Sequence, residues 1–384
     1  MGTTELPDPR VWPAPGAATV GAARLHAAAL AAIDAGTNSA AAVADAEATE
    51  TLERLLAAGD GRALAEALAA APSFPIARHL WRLLATIERG LLQRAPLSTT
   101  LAAIPVVFVS ALESRDGSVT LPGVLEDPQE LAALLRDARE FGGAQTFALS
   151  PALSGVEAID IATLPDHLAR LTIAESDGGS FAPVDMQPLP IVTQGGNERV
   201  HLRYAVAAVL TAQRADPLRT STISMWGIGV AQALARQLHV QGVSLLALPR
   251  PPQRLVAAVQ AGRAVQREVS AQVFASNAIR KLRASVGEPT AIISAHRSAD
   301  APMGGELRLS LSSAFAPREA EGFRCPIYAY ESVHDVATML TGLLRDCRVD
   351  DVRLRAGVHD DIDPVTGGPL LFKETEVPSS TRLQ

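Results

Sequence analysis

Apolar positions along the chain change their period near residue 100. Between Ala17 and Arg94, Leu52, Leu55, Leu56, Leu64 and Leu68 recur at three- and four-residue spacing, one stripe of a helix. Ala, Leu, Glu and Arg, the best helix formers, dominate this stretch. Gly59-Asp60-Gly61 reads as a helical-hairpin turn, and Pro72 and Pro75 close that pair. His79 to Leu92 is then predicted as an amphipathic helix with Leu80, Leu83, Leu84, Ile87 and Leu91 inward.

From Ile104 the run Ile104 to Val109 is continuously apolar and partly β-branched, the signature of a buried strand. Asp127-Pro128 opens a helix carrying Leu131, Leu134 and Leu135, because proline at the first helical position sacrifices no hydrogen bond. Ala144 to Leu149 is the next strand, Thr163 to Ile173 a short helix, and the Gly- and Pro-rich stretch Ser176 to Pro190 an expected module boundary. Strands follow at Leu189 to Thr193 and at Val200 to Leu210, the latter alternating with period two. A helix is expected at Ser224 to His239, a strand at Val243 to Leu248 and a long helix from Pro252 to Ser285. Thr290 to Ala295, Glu306 to Ser312 and Pro326 to Tyr330 are predicted strands. Val333 to Leu344 is a helix with Val333, Val336, Leu340 and Leu344 on one face, before a last strand at Val352 to Leu354.

These elements define an α/β chain of the α+β kind, an N-terminal helical region followed by two mixed-sheet α/β modules with ferredoxin-like grammar. The expected divisions are 1–16, an extended proline-rich leader, 17–100, helical, 101–185 and 186–373, the two modules, and 374–384, a tail. A faint echo links Leu125 to Asp137 with Val333 to Asp346, each an acidic helix start and a leucine-rich helix, a grammar that βαβ units share in general.

Composition narrows the function classes. With 48% hydrophobic residues among 384, the chain can bury a substantial core. Its 34 basic and 41 acidic side chains leave a formal charge of −7, which argues against a general electrostatic grip on nucleic acid or anionic lipid. Lys281 and Lys373 are the only lysines, so the arginine content reads as coding bias rather than phosphate recognition. No stretch approaches the ~20 apolar residues that span a bilayer, and no signal peptide is read at the start. A cytoplasmic protein without a membrane partner is expected. Cys325 and Cys347 are expected to be reduced, buried thiols.

Candidate chemistry is sparse. Gly227-Ile228-Gly229-Val230-Ala231-Gln232 approaches a dinucleotide fingerprint, but Gln232 stands where glycine or alanine is needed, so the glycines are read as close-packing positions. No His-Glu-x-x-His or Cys-x-x-Cys occurs, and neither metal nor cofactor is expected. His359-Asp360-Asp361-Ile362-Asp363 is the densest ligand-type cluster, yet Pro364 and Val365 break a calcium-loop scheme, leaving a solvated acidic turn as the default. Ser294 and His296 fall on one face of one strand with Arg297 beside them. A ligand site, if present, would draw on His296, Arg297, His359, Asp361 and Asp363.

Three segments carry a family resemblance: Cys325-Pro326-Ile327-Tyr328, Leu343 to Val352, and Gly367-Gly368-Pro369-Leu370-Leu371. The chain resembles an uncharacterised beta-proteobacterial family, domain-of-unknown-function family 2863. The resemblance implies a Cys-x-x-Cys pair just before the closing turn, where this chain has Asp363 and Thr366, so thiolate ligation does not carry over. It implies a fold and no activity. The first functional expectation is an interaction or regulatory protein without catalytic activity, acting on an unknown protein partner or on itself. The alternative is a small-ligand-binding protein or enzyme with a site between the α/β modules.

Overall fold

A computed structural model describes residues 20–58, 61–91, 97–110, 118–119, 124–137, 144–155, 191–192, 200–212, 226–238, 243–247, 253–285, 287–298, 305–313 and 316–359. The chain divides into two compact units. One comprises Met1–Ala48, Glu66–Arg82 and Arg267–Gln384, the other Thr49–Ala65 and Leu83–Gln266.

The helical region contains α1 (Val20–Ile33), α2 (Asn38–Ala57), α3 (Gly61–Ala69) and α4 (Phe74–Leu91). Leu52, Leu56, Leu64 and Leu68 are buried as their spacing predicts, and so are Leu80, Leu83, Leu84 and Ile87. Pro75 differs from expectation. It stands in the first turn of α4, which starts five residues before His79, because a first-turn proline lacks only an N–H that the helix does not use.

The second unit holds a sheet of β1 (Leu97–Ser110), β3 (Ala144–Ser154), β5 (Val200–Ala212) and β6 (Val243–Ala247), in the order β3-β5-β1-β6. A short β7 (Gln253–Arg254) also pairs with β1, and β2 (Ser118–Val119) pairs with β4 (Ile191–Val192) separately. Helix α5 (Pro128–Asp137) lies between β1 and β3 in sequence, and α6 (Trp226–Gln237) between β5 and β6. This βαββαβ order with β5 and β1 central is the ferredoxin-like arrangement. All described pairings of this sheet are antiparallel. The boundary expected at Ser176 to Pro190 lies outside the described residues, as does the helix expected at Thr163 to Ile173. Strands on either side of that stretch pair with each other, β1 with β5, from Leu97↔Ala212 to Val109↔Val200.

One face of this sheet presents Ile104, Val106, Phe108, Ala205 and Ala207 to a core shared with Leu131 of α5, Ala233 and Leu234 of α6, and Leu238 just beyond its end. Asp127 Oδ1 accepts the backbone amides of Gln129 and Glu130, 3.0 and 3.1 Å away, so the Asp-Pro start of α5 works as its sequence implies. Glu130 then accepts from Arg236 and from Gln237 Nε2 (3.0 Å), tying α5 to α6. These bonds hold the Glu130 carboxyl below its ordinary range, Gln237 contributing most.

In the first unit, β8 (Pro289–Arg297), β9 (Gly305–Ser313), β10 (Ala316–Pro326) and β11 (Asp351–His359) form a mixed sheet in the order β10-β9-β8-β11, with β11 parallel to β8. Helix α7 (Leu255–Ser285) precedes β8, and α8 (Val333–Asp346) precedes β11. The strand expected at Pro326 to Tyr330 is corrected: β10 ends at Pro326, and a turn closed by Glu331 N–H donating to Tyr328 O (3.0 Å) follows. Arg318, Glu319, Glu321 and Arg324 hid the true strand by filling it with charge. Val333, Val336, Leu340 and Leu344 of α8 are all buried, as predicted. Helix α8 ends in paired bonds from Arg348 N to Arg345 O (2.8 Å) and from Val349 N to Leu344 O (2.9 Å), with Arg348 at φ 62°. That is a Schellman motif with arginine where glycine is usual. The echo between α5 and α8 reduces to shared grammar, since one strand separates β1 from β3 while two separate β10 from β11.

Candidate functional site

Alternation along β8 and β9 makes two unlike faces. Ile293, Ala295, Leu307, Leu309 and Leu311 form the apolar one, while Ser294, His296, Glu306, Arg308 and Ser310 form the polar one. Both are buried. Burying charge is costly unless it is paired, and here Arg308 Nε donates to Glu306 Oε1 (2.8 Å) while Arg324 Nε donates to Oε2 (2.9 Å). Arg324 Nη2 also donates to Ser298 Oγ (2.8 Å).

Within this face Ser294 Oγ lies 2.8 Å from His296 Nε2. A serine beside a histidine is the start of a nucleophile–base pair. Glu306 is the cross-strand neighbour of His296, but arginines occupy both of its oxygens, and Ser294 and His296 are only 1% and 0% exposed. The pair is built into the sheet rather than presented to a substrate. Arg297, the next residue, is exposed. His359 takes the register position beside His296 on the adjacent strand β11. Asp361 and Asp363 lie outside the described residues.

Gly229 falls in the first turn of α6, and a Cβ there would meet nothing within 4 Å. The close-packing role expected of it is therefore corrected: space is open where its Cβ would stand. Among the described residues, no group of three His, Cys, Asp or Glu side chains is placed to hold a metal ion, and no helix is long and apolar enough to cross a membrane.

A cleft of about 360 Å³ lies elsewhere in the first unit, at the N-terminus of α8. Arg78 of α4, Arg267 of α7, the turn residues Tyr330 and Glu331, and Ser332, Asp335, Val336 and Met339 at the start of α8 line it. Its inner wall is an ion pair, Arg267 to Glu331, whose side chains are 8% and 10% exposed. Glu331 Oε2 also accepts from the backbone of Tyr328 (3.0 Å). Burial pulls the Arg267 pKa down, but the hydrogen bond and charge of Glu331 outweigh it, and the net direction is up. Arg78 Nη2 donates to Glu331 O (2.7 Å), so the turn is gripped from two helices. Trp81 meets Tyr330 edge to face at 5.3 Å, and Tyr328 stacks on Tyr330 at 5.8 Å. The Ser332 hydroxyl makes no capping bond to α8.

None of these cleft residues belongs to the set expected from sequence. The one local signal was Ser332-x-x-Asp335, a helix-start pattern. Arg78 lies 253 positions from the carbonyl that it grips, beyond any local pattern.

Fold and cleft together define an α+β protein with a ferredoxin-like unit and, in its other unit, a polar concavity at a helix start. No protein-family model, curated protein or solved structure matches the chain.

Proposed function

We propose that this chain is a small-ligand-binding protein whose site is the cleft at the start of α8, and that any regulatory role follows from that binding. The observation that carries this reading is the convergence of side chains from α4, α7 and the turn before α8 on one concavity of about 360 Å³. That volume lies within the range of small-molecule sites. The reading favours binding over catalysis because the cleft's buried ionisable pair, Arg267 and Glu331, is mutually neutralised, and the Ser294–His296 pair lines the sheet interior. It also ranks above a docking surface for a partner. Among the described residues, the exposed large apolar side chains are Leu30, Ile33, Val43 and Val124, the kind of exposure common on globular proteins.

Thermal-shift screening of the full chain against a small-metabolite library tests the reading, alongside a Met339→Trp variant that fills the cleft. At least one compound should raise the Tm of the parent and not of the variant. An inert library, or a shift that survives the substitution, overturns it.

A further inference from the structure

We propose that the hairpin of α1 and α2 is a self-association surface, on which a second copy of this chain docks to close an antiparallel four-helix bundle. Three of the four exposed large apolar side chains among the described residues fall on it, Leu30 at 46%, Ile33 at 40% and Val43 at 71% exposed. Each alone is ordinary, and it is their surroundings that differ. Helix α1 has only Arg24 and His26 as polar side chains in 14 residues, and His26 is turned inward, its Nε2 2.7 Å from Ala67 O. Outward it shows Ala23, Ala27, Leu30, Ala31 and Ile33 beside Arg24. A helix that is apolar on every side belongs in an interior. Ala40, Ala42, Val43 and Ala46 of α2 extend the same kind of surface.

Charge and register select a second copy as the occupant. Arg24 Nε and Nη2 both donate to Glu47 Oε1, at 3.1 and 3.0 Å, and both side chains are exposed. Arg24 stands nine residues before the end of α1 and Glu47 nine after the start of α2, so the helices run antiparallel with this pair level. At one common rise per residue, Val43 is level with Ala28, between the outward Ala27 and Ala31. Leu30 is level with Ala41, between the outward Ala40 and Ala42. A two-fold axis parallel to the hairpin lays α1 of each copy over α2 of the other. Arg24 of one copy then stands over Glu47 of the second, and four charges of alternating sign close one end of the bundle. Val43 meets the alanines of α1 and Leu30 those of α2, large side chains over small ones, as interdigitating bundle layers require. Asp34, at the tip, stays at the solvent end. A partner of one charge sign would instead meet either Arg24 or Glu47 with repulsion.

Size sets the strength. Helix α1 is ~21 Å long and two helices of ~10 Å diameter lie side by side, so the face is about 20 Å square, about 400 Å² per copy. A total near 800 Å² falls at the low end of association interfaces, where complexes are reversible. The dimer is therefore a micromolar one that forms and separates with concentration.

Sedimentation velocity on the full chain, from about 1 to about 500 µM, spans that regime and tests it. Monomer should give way to dimer with rising concentration, and nothing larger should form, because a two-fold closes on itself. Val43→Glu buries an unpaired charge in the face and should weaken the dimer at least about tenfold. Val124→Glu, at the fourth exposed apolar side chain, should leave it unchanged. Arg24→Glu and Glu47→Arg should each lose self-association, and the two variants mixed should regain it, since opposite charges then face each other only between unlike copies. That rescue appears only if both variants fold. A chain that stays monomeric throughout overturns the proposal and leaves the face to a different protein or to residues 1–19 of the same chain. A dimer indifferent to Val43→Glu, or a mixture that stays monomeric, overturns it equally.

Discussion

The Glu88 carboxylate on α4 accepts the backbone N–H of Leu255 at 2.8 Å and that of Val256 at 3.2 Å, capping α7 from 167 residues away. Glu88 is only 2% exposed. A buried carboxylate at a helix N-terminus is favoured by the open amides and by the dipole. It performs the task that a local Ser or Asp performs at most helix starts.

Glu88→Ala should therefore destabilise the chain by about 1–3 kcal/mol, the cost of stranding buried donors. Glu88→Gln keeps one acceptor and should fall between that variant and the parent. Urea unfolding of the three proteins checks the order; an Ala variant as stable as the parent would show that the cap carries no weight.

Gly262 reverses the usual glycine rule. In an ordinary helix Gly→Ala gains about 1 kcal/mol. Here a Cβ would stand 2.8 and 2.9 Å from Cζ and Cε1 of Tyr204, a ring that is 0% exposed. A rigid buried ring cannot yield cheaply, and overpacking costs about 1–3 kcal/mol. Gly262→Ala should lower the Tm, which a differential scanning calorimetry trace reports directly.

Arg348 offers the opposite sign. Its φ of 62° lies in the left-handed region, where a Cβ is disfavoured by about 1–2 kcal/mol. Arg348→Gly relieves that strain and gives back part of the gain through a more flexible unfolded chain. A net stabilisation of about 0.5–1 kcal/mol is expected by chemical denaturation, and a loss would mean that the arginine side chain outweighs its backbone.

His201 makes stability depend on pH. Burial first, and the neighbouring Arg203 second, hold its pKa below the ordinary 6.5. The unfolded chain thus takes up this proton at higher pH than the folded one. The stability tied to neutral His201 is fully present above about pH 6.5 and is lost as pH falls through the lower folded value. Unfolding free energies between pH 8 and 5 (about the working range) should fall more steeply on the acid side for the parent than for His201→Gln. Parallel curves would remove His201 from the account.

Cys325 is 0% exposed and burial pushes its thiol pKa up to about 12, whereas Cys347 is half-buried. Thiolate is the reactive form. Iodoacetamide under native conditions should label Cys347 first and Cys325 only on unfolding, as peptide mass spectrometry would show. Early labelling of Cys325 would contradict its burial.

Local pattern determined the helices and most of the strands, because one buried face imposes its own period on the residues that supply it. Leu340 and Leu344 announced α8, and the run Ile104 to Val109 announced β1. Local pattern gave out where burial and polarity parted company. Strand β10 carries charges along its length, and the polar face of β8 and β9 is as buried as the apolar one. His296 was visible as a candidate, but only the register of β8 against β9 set it beside Glu306, and only the arginines on Glu306 showed that carboxylate to be committed elsewhere. Partners across long separations belong wholly to tertiary structure: β1 finds β5, Glu88 finds Leu255, and Arg78 and Arg267 meet at Glu331. A hydrogen bond or ion pair needs one residue at each end and leaves no period behind it. Sequence therefore determined which segments coil and which extend, and the folded chain alone decided which charges meet and where a cleft opens.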